Sequence, residues 1–417
     1  MTGHAPRRVA VTGIGAVTPI GHGADGVWAG VLANRSAVRA IDRFDASPFP
    51  SRIAAAIDDF RPADHFDARR ARRLDRFSAL AVASARMAVE HAGLEDGHRP
   101  APERTGVWIG SALGGVAFGE EQHAAYVERG VHGVSPTLAT AVFGGAAASN
   151  VAIDLGMRGP AIGNANSCAS GAVAIGQAFQ AVRDGVVDAA LAGGAEAPLA
   201  PLTFGAFAMI RVLSRRNDDP ATASRPFDVG RDGFVMGEGA AMLVLEAWDA
   251  AERRGAPILG EILGFGASTD AHHLTAPLPS GEAAAAAITT ALADAGVAAG
   301  AIGYVNAHAS STPLNEVAEA RAIHLALGAR HAREVPVSGT KGLYGHALGA
   351  SGAIEAAITV MALCNGLLPG TCNLETPDPE VDLNVLRDAT PATPGLALST
   401  SFGFGGLNAA LVIGRGT

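Results

Sequence analysis

Residues 161–196 read A-I-G-N-A-N-S-C-A-S-G-A-V-A-I-G-Q-A-F-Q-A-V-R-D-G-V-V-D-A-A-L-A-G-G-A-E, and no other run constrains the fold as much. An apolar approach ends in a tight Asn/Ser segment. From Cys168 about four turns of small and apolar residues follow, stopping at Asp184-Gly185, and 186–192 reads as a buried strand. The pattern predicts strand, elbow, helix, strand, with a cysteine at the elbow. A thiol there meets unpaired N–H groups and the positive end of the helix dipole, which favour the thiolate. Ser167, Ala169, Ser170, Gly171 and Ala172 are all small, as a sharp turn close to a substrate requires. The ordinary alternative is a packed core cysteine; the elbow context favours a nucleophile.

The rest of the composition suits a large buried α/β chain. At 417 residues, 48% hydrophobic and 17% charged with 53 glycines, it can bury a sizeable core in two or three domains, or in one two-lobed body. A formal net charge of −9 argues against a nucleic-acid footprint. Cys168, Cys364 and Cys372 form neither a disulfide framework nor a metal-type spacing, so a reducing cytoplasm is the expected compartment, with no metal. The N-terminal residues lack a signal-peptide core, and no run of about 18 uncharged apolar residues predicts a membrane span.

In order, 9–14 reads as a buried strand, and the glycines at 13, 15, 21 and 23 with Pro19 lead to a helix at 25–33. Pro19 stands where a dinucleotide-binding helix would begin, which sets that motif aside. Residues 68–92 read as one helix opening on Arg69, Arg70, Arg72, Arg73 and Arg76. This cluster is either a solvated helix end or a docking patch for an acidic carrier. A strand leads into a glycine loop at 106–115, and 135–154 reads as an Ala/Gly-rich helix. S-R-P-F-D and R-D-G-F-V-M-G-E-G-A, between 203 and 239, read as ordered loops crossing a site.

From 258 a comparable series begins again: strands at 258–265, 302–307, 335–339, 397–401 and 409–413, with helices at 281–295, 315–327 and 349–365. The series suggests a duplicated α/β architecture with halves at 1–254 and 255–417, although the halves show no evident identity. In the second half, Y-V-N-A-H-A-S-S-T-P puts His308 at a strand end, with a helix starting at Pro313. V-S-G-T-K-G-L-Y-G-H puts His346 in a loop ahead of a helix, Lys341 five residues before it and Glu355 nine after. Either histidine alone reads as structural. Two at the carboxyl ends of strands mark the edge where such folds place chemistry.

With S-F-G-F-G-G at 401–406, these motifs make the chain resemble the elongating, Cys-His-His β-ketoacyl-acyl carrier protein synthases of the thiolase superfamily, from 9 to 414. The resemblance implies two duplicated halves in a five-layered α-β-α-β-α arrangement. It further implies an acyltransferase in which Cys168 takes an acyl chain from a carrier thioester, while His308 and His346 receive malonyl thioester and stabilise the enolate left by carbon dioxide. Cys168 and Phe404 N–H groups form the implied oxyanion hole; Phe404, beside Phe402, is the implied gate. Lys341 and Glu355 are implied to orient His346 and its loop, and Ser310 and Thr312 to bind pantetheine. The acyl pocket falls to Leu113, Thr137 and Leu138, the last two where bulkier residues often reach across a dimer. Carrier docking falls to Arg69, Arg72, Arg73 and Arg211. No cofactor is implied beyond the phosphopantetheine of acyl carrier protein. The chain is expected as a homodimer or beside a chain-length-factor-like subunit, with neither nucleic acid nor membrane as partner.

The sequence departs from the family pattern at H-A-S for H-G-T, N-S-C for T-A-C, and Leu407 where a small polar residue is common. None removes a catalytic atom, and all adjoin the site. Smaller pocket walls at Leu113, Thr137 and Leu138 admit a longer, stiffer or branched chain, so dedicated type II polyketide or polyene elongation is expected as readily as fatty-acid elongation. A degradative thiolase would need a second cysteine in the terminal glycine loop. The silent chain-length-setting subunit, the remaining alternative, usually lacks the nucleophile that Cys168 supplies.

Overall fold

Alternate residues of one strand feed two different cores, and this fixes the layering. In the strand Gly239–Ala247, Ala241, Leu243 and Leu245 face a central cluster while Ala240, Met242 and Val244 face an outer one. Ala409, Leu411 and Ile413 of the strand Leu407–Arg415 join the same central cluster, and Ala410 and Val412 join a third. Apolar faces on both sides demand helices on both sides of each sheet.

The computed structural model describes residues 6–94 and 99–416. The first half supplies strands β1 (Val9–Thr18), β2 (Thr105–Gly110), β3 (Ala161–Asn164), β4 (Ala189–Glu196) and β5 (Gly239–Ala247). The second supplies β6 (Gly260–Thr269), β7 (Tyr304–Asn306), β8 (Pro336–Ser338), β9 (Leu396–Gly403) and β10 (Leu407–Arg415). In space they run β3-β2-β4-β5-β1 and then β6-β10-β9-β7-β8, each half mirroring the other across an antiparallel seam at Val9–Ile262, Ala10–Glu261 and Val11–Gly260. Helices α1 (Arg76–His91) and α2 (Ala146–Leu155) cover the first sheet. Helices α3 (Ser170–Arg183) and α6 (Ser351–Asn365) lie between the sheets, and α4 (Glu282–Ala295) and α5 (Asn315–Leu327) cover the second. This is the five-layered, duplicated arrangement expected.

The central helices reveal an internal echo that the sequence reading missed. A-S-G-A occurs at 169–172 and again at 350–353, at the head of α3 and of α6. Each follows one turn of 3-10 helix, and each turn opens on a left-handed residue, Ser167 at φ 52° and Leu348 at φ 39°. A Cβ on Gly171 would lie 2.8 Å from the Ala353 nitrogen, and one on Gly352 would lie 2.9 Å from the Ala172 nitrogen. The repeated small residues are therefore what let the two helices cross backbone to backbone. Gly349 is the counterpart of Cys168.

Several element boundaries differ from expectation. Residues 68–92 are not one helix: Ala68–Ala71 stops, and α1 restarts where Asp75 accepts the Phe77 N–H at 2.8 Å. Residues 135–154 break at Gly144-Gly145 into Leu138–Ala141 and α2. Strand β4 begins at Ala189 because Val186 and Val187 still donate to the Ala181 carbonyl, closing α3. Helix α5 begins at Asn315 rather than at Pro313. One stretch, Leu348–Asn365, is long and apolar enough to cross a membrane; it is 89% buried inside the protein as the central helix.

Candidate active site

The elbow holds Cys168 at the floor of a cavity of about 300 Å³. Its side chain is buried, with the Phe404 backbone N–H directed at the sulfur and the Ser167 hydroxyl 3.8 Å away. These donors favour the thiolate. Burial prevails over them and holds the thiol above its ordinary value, with the charge of Glu196 adding to the effect. Burial thus opposes the contribution expected from the helix end.

His308 follows β7. Its backbone N–H donates to Glu319 at 2.7 Å and to Thr400 at 3.1 Å, and the Ala309 N–H donates to Glu319 at 2.8 Å. This cradle holds Ala309 at φ 39°, a left-handed conformation at the position where the family pattern carries glycine. Lys341, wholly buried, forms an ion pair with Glu355, donates to the His308 carbonyl, and sits 3.4 Å from His308 Nδ1. Lys341 and Glu355 therefore serve His308. The expectation that they orient His346 is corrected.

His346 takes its orientation elsewhere. Its Nδ1 lies 2.9 Å from the Ser351 hydroxyl, and its backbone is held by Val235 and Gly237 of the R-D-G-F-V-M-G-E-G-A loop. The Phe234 ring packs edge-on against the imidazole at 5.2 Å. The two imidazoles stand 5.3 Å apart, nearly perpendicular. Burial pushes both well below their ordinary value, aided by the Lys341 charge, so both are neutral. The Lys341 ammonium can only donate, so His308 Nδ1 accepts and its proton resides on Nε2, while His346 Nδ1 shares a hydrogen bond with the Ser351 hydroxyl. The site therefore holds a sulfur and two uncharged N–H donors. Burial also raises the Glu355 carboxyl, to about 7, against the pull of Lys341.

Phe402, Phe404, Ser310, Thr312 and Leu113 line the same cavity as Cys168 and both histidines. Thr137 and Leu138 do not line it within the single chain. Ser310 and Thr312 hydroxyls lie 3.0 Å apart. Phe404 stacks on Phe207 at 6.2 Å. Of the arginine cluster, Arg70 pairs with Asp154 and Arg76 with Glu238, whereas Arg69, Arg72, Arg73 and Arg211 are exposed. Sequence reasoning missed Ser351, Glu319, Glu196 and Phe207. Ser351 lies five residues past His346, Glu319 eleven past His308, and Glu196 closes the run that carries Cys168.

Comparison with known proteins agrees with this geometry. The family described as Beta-ketoacyl synthase, N-terminal domain, matches residues 6–251, and Beta-ketoacyl synthase, C-terminal domain, matches residues 259–375. The 3-oxoacyl-[acyl-carrier-protein] synthase 2 of Synechocystis sp. is 44% identical over 97% of this chain and 97% of its own. A solved beta-ketoacyl synthase from Burkholderia phymatum STM815 superposes with a TM-score of 0.91 at 35% identity, over 99% of this chain and 100% of that one. A ketosynthase solved in the AntDE:AntF complex, with its type II PKS acyl-carrier protein and a bound hexaketide, gives a TM-score of 0.92 at 31% identity, over 99% and 100%.

Proposed function

This chain belongs to the β-ketoacyl synthase family, and from that premise we propose how its own residues divide the reaction. The enzyme is a 3-oxoacyl-acyl carrier protein synthase, an acyltransferase that condenses malonyl-carrier with a cysteine-bound acyl chain and releases carbon dioxide. Cys168 Sγ attacks the acyl thioester, and its proton leaves with the departing pantetheine thiol. Malonyl-carrier then loses carbon dioxide; the electron pair of the broken C–C bond becomes an enolate, whose oxygen accepts Nε2–H from His308 and His346. The enolate carbon attacks the acyl-cysteine carbonyl, the N–H groups of Cys168 and Phe404 stabilise the oxyanion, and collapse breaks the C–S bond, releasing the 3-oxoacyl-carrier and a Cys168 thiolate that takes one proton from solvent. Each preorganised donor of this kind contributes about 3 kcal/mol. Neutral imidazoles suit the role, since they stabilise the enolate oxygen without competing for the malonyl carboxylate as cations would.

The observation that carries this reading is the meeting of Cys168 with two neutral histidines, each held by a hydrogen bond at Nδ1, in one apolar-walled cavity. Retention of all three sets aside the catalytically silent subunit. We assign the chain to fatty-acid elongation, in keeping with the curated relatives, and make polyketide or polyene elongation the outcome to be excluded. The substrates ride on carrier phosphopantetheine, with Ser310 and Thr312 contacting that arm and Arg69, Arg72, Arg73 and Arg211 meeting the acidic carrier. A homodimer in the cytoplasm is the proposed state: β3 is a sheet edge with Ala161, Ile162 and Gly163 exposed, beside exposed Val142 and Phe143, an edge that a second copy would cover. Thr137 and Leu138 belong to the acyl pocket only in such a pair. Incubation with saturated and conjugated acyl-carriers plus malonyl-carrier tests the assignment: saturated 3-oxoacyl-carrier and stoichiometric carbon dioxide support it, and strict preference for conjugated chains overturns the pathway.

A further inference from the structure

Glu196 is wholly buried at the last residue of β4, and it makes no ion pair with any side chain among the described residues. Every group it meets is a donor. The Ala112 N–H donates to Oε2 at 2.6 Å and the Gly349 N–H to the same oxygen at 3.0 Å. The Leu113 N–H donates to Oε1 at 3.2 Å and the Ser111 hydroxyl at 3.0 Å. A buried carboxylate held this way is costly unless each donor needs it, and nothing in the condensation uses it. Its charge works against the Cys168 thiolate.

The duplication explains its place. Gly349 occupies, at the head of α6, the position that Cys168 occupies at the head of α3. Strands β4 and β9 are both eight residues long and both fourth in their half, so the last residue of one, Glu196, corresponds to the last of the other, Gly403. A Cβ on Gly403 would lie 3.1 Å from the Cys168 nitrogen. At the working elbow, glycine leaves that N–H open for a reacting oxygen. At the second elbow a carboxylate fills the equivalent space.

We propose that Glu196 is a positioning residue: it occupies the anion position of the second elbow and so locks the Leu113 wall of the acyl cavity to the turn that carries His346, Leu348 and Ser351. One carboxylate then sets both the reach of the acyl cavity and the placement of His346. Glutamine cannot replace it, because its amide would turn an N–H₂ group towards N–H donors on one side or the other.

The inference rests on the condensing-enzyme reading for what the cavity holds, and its test separates the two. Cys168 is alkylated with N-alkyl iodoacetamides from methyl to dodecyl, which read cavity reach without any carrier, and carbon dioxide release from malonyl-carrier is followed in parallel. In Glu196→Gln, and more weakly in Ser111→Ala, the long-to-short alkylation ratio should shift at least about fivefold, the equivalent of one ordinary hydrogen bond. Carbon dioxide release should fall with it. A ratio within twofold of wild type in both variants overturns the inference. If wild type releases no carbon dioxide, the condensing-enzyme reading fails, while the alkylation ratio still decides the role of Glu196.

Discussion

Lys341 Nζ lies 3.4 Å from His308 Nδ1 while it is ion-paired to Glu355, so one buried cation fixes the tautomer of one histidine and leaves the other to a serine. Removing it in Lys341→Met leaves Glu355 buried without its partner, at a cost of about 3–5 kcal/mol. The double variant Lys341→Met/Glu355→Leu should recover most of that stability without recovering activity. Thermal unfolding and carbon dioxide release measured on both variants check the prediction, and Cys168 alkylation should persist in the double.

Ser351 holds His346 by a single hydrogen bond to Nδ1. In Ser351→Ala, His346 Nδ1 loses its hydrogen-bond partner, and the ring is no longer held in orientation. Decarboxylation should fall roughly a hundredfold while the protein keeps its fold and its rate of acyl transfer to Cys168. Separate kinetics of acylation and of carbon dioxide release will show the split, and equal loss in both steps would contradict it.

These two assignments mark how far the sequence could be read. The elbow, both histidine motifs and the α/β alternation were legible because each is local: a period, a turn, a run of small residues. Which histidine Lys341 and Glu355 serve was not, because the partner sits 33 positions before Lys341, on another strand. The carboxylates of Glu319 and Glu196 were hidden because their partners are mostly backbone N–H groups, which carry no residue signature. The opposing effect of burial on the thiol was not legible, because the helix end is a sequence signal and burial is not. The A-S-G-A echo was present in the sequence, but four small residues stand out only once both occur at a helix crossing.

Ser167 stands where the family pattern carries alanine, and its hydroxyl favours the thiolate. Ser167→Ala should therefore move the pH profile of Cys168 alkylation upward. An unchanged or lowered inflection in iodoacetamide kinetics would contradict this.

Ala309 is held left-handed at φ 39°. Ala309→Gly should relieve that strain and stabilise the protein by about 1 kcal/mol, after the entropy that glycine gains in the unfolded chain. Denaturant unfolding gives the sign directly.

Both imidazoles are held below their ordinary value of 6.5 in the folded protein. A depressed folded pKa contributes stability above the unfolded value, which is lost as pH falls through and below it. Wild type should therefore lose stability on acidification below 6.5 more steeply than His308→Asn/His346→Asn. The buried carboxyls, present in both proteins, cancel in the comparison, and parallel curves would refute the neutral assignment.

The most direct test follows intact mass and carbon dioxide together. Protein incubated with an acyl-carrier should gain one acyl group on Cys168, then lose it on addition of malonyl-carrier with one carbon dioxide released per 3-oxoacyl-carrier formed. His308→Ala and His346→Ala should load and fail to discharge. An acyl group on any other residue, or discharge that persists in both histidine variants, would contradict the account.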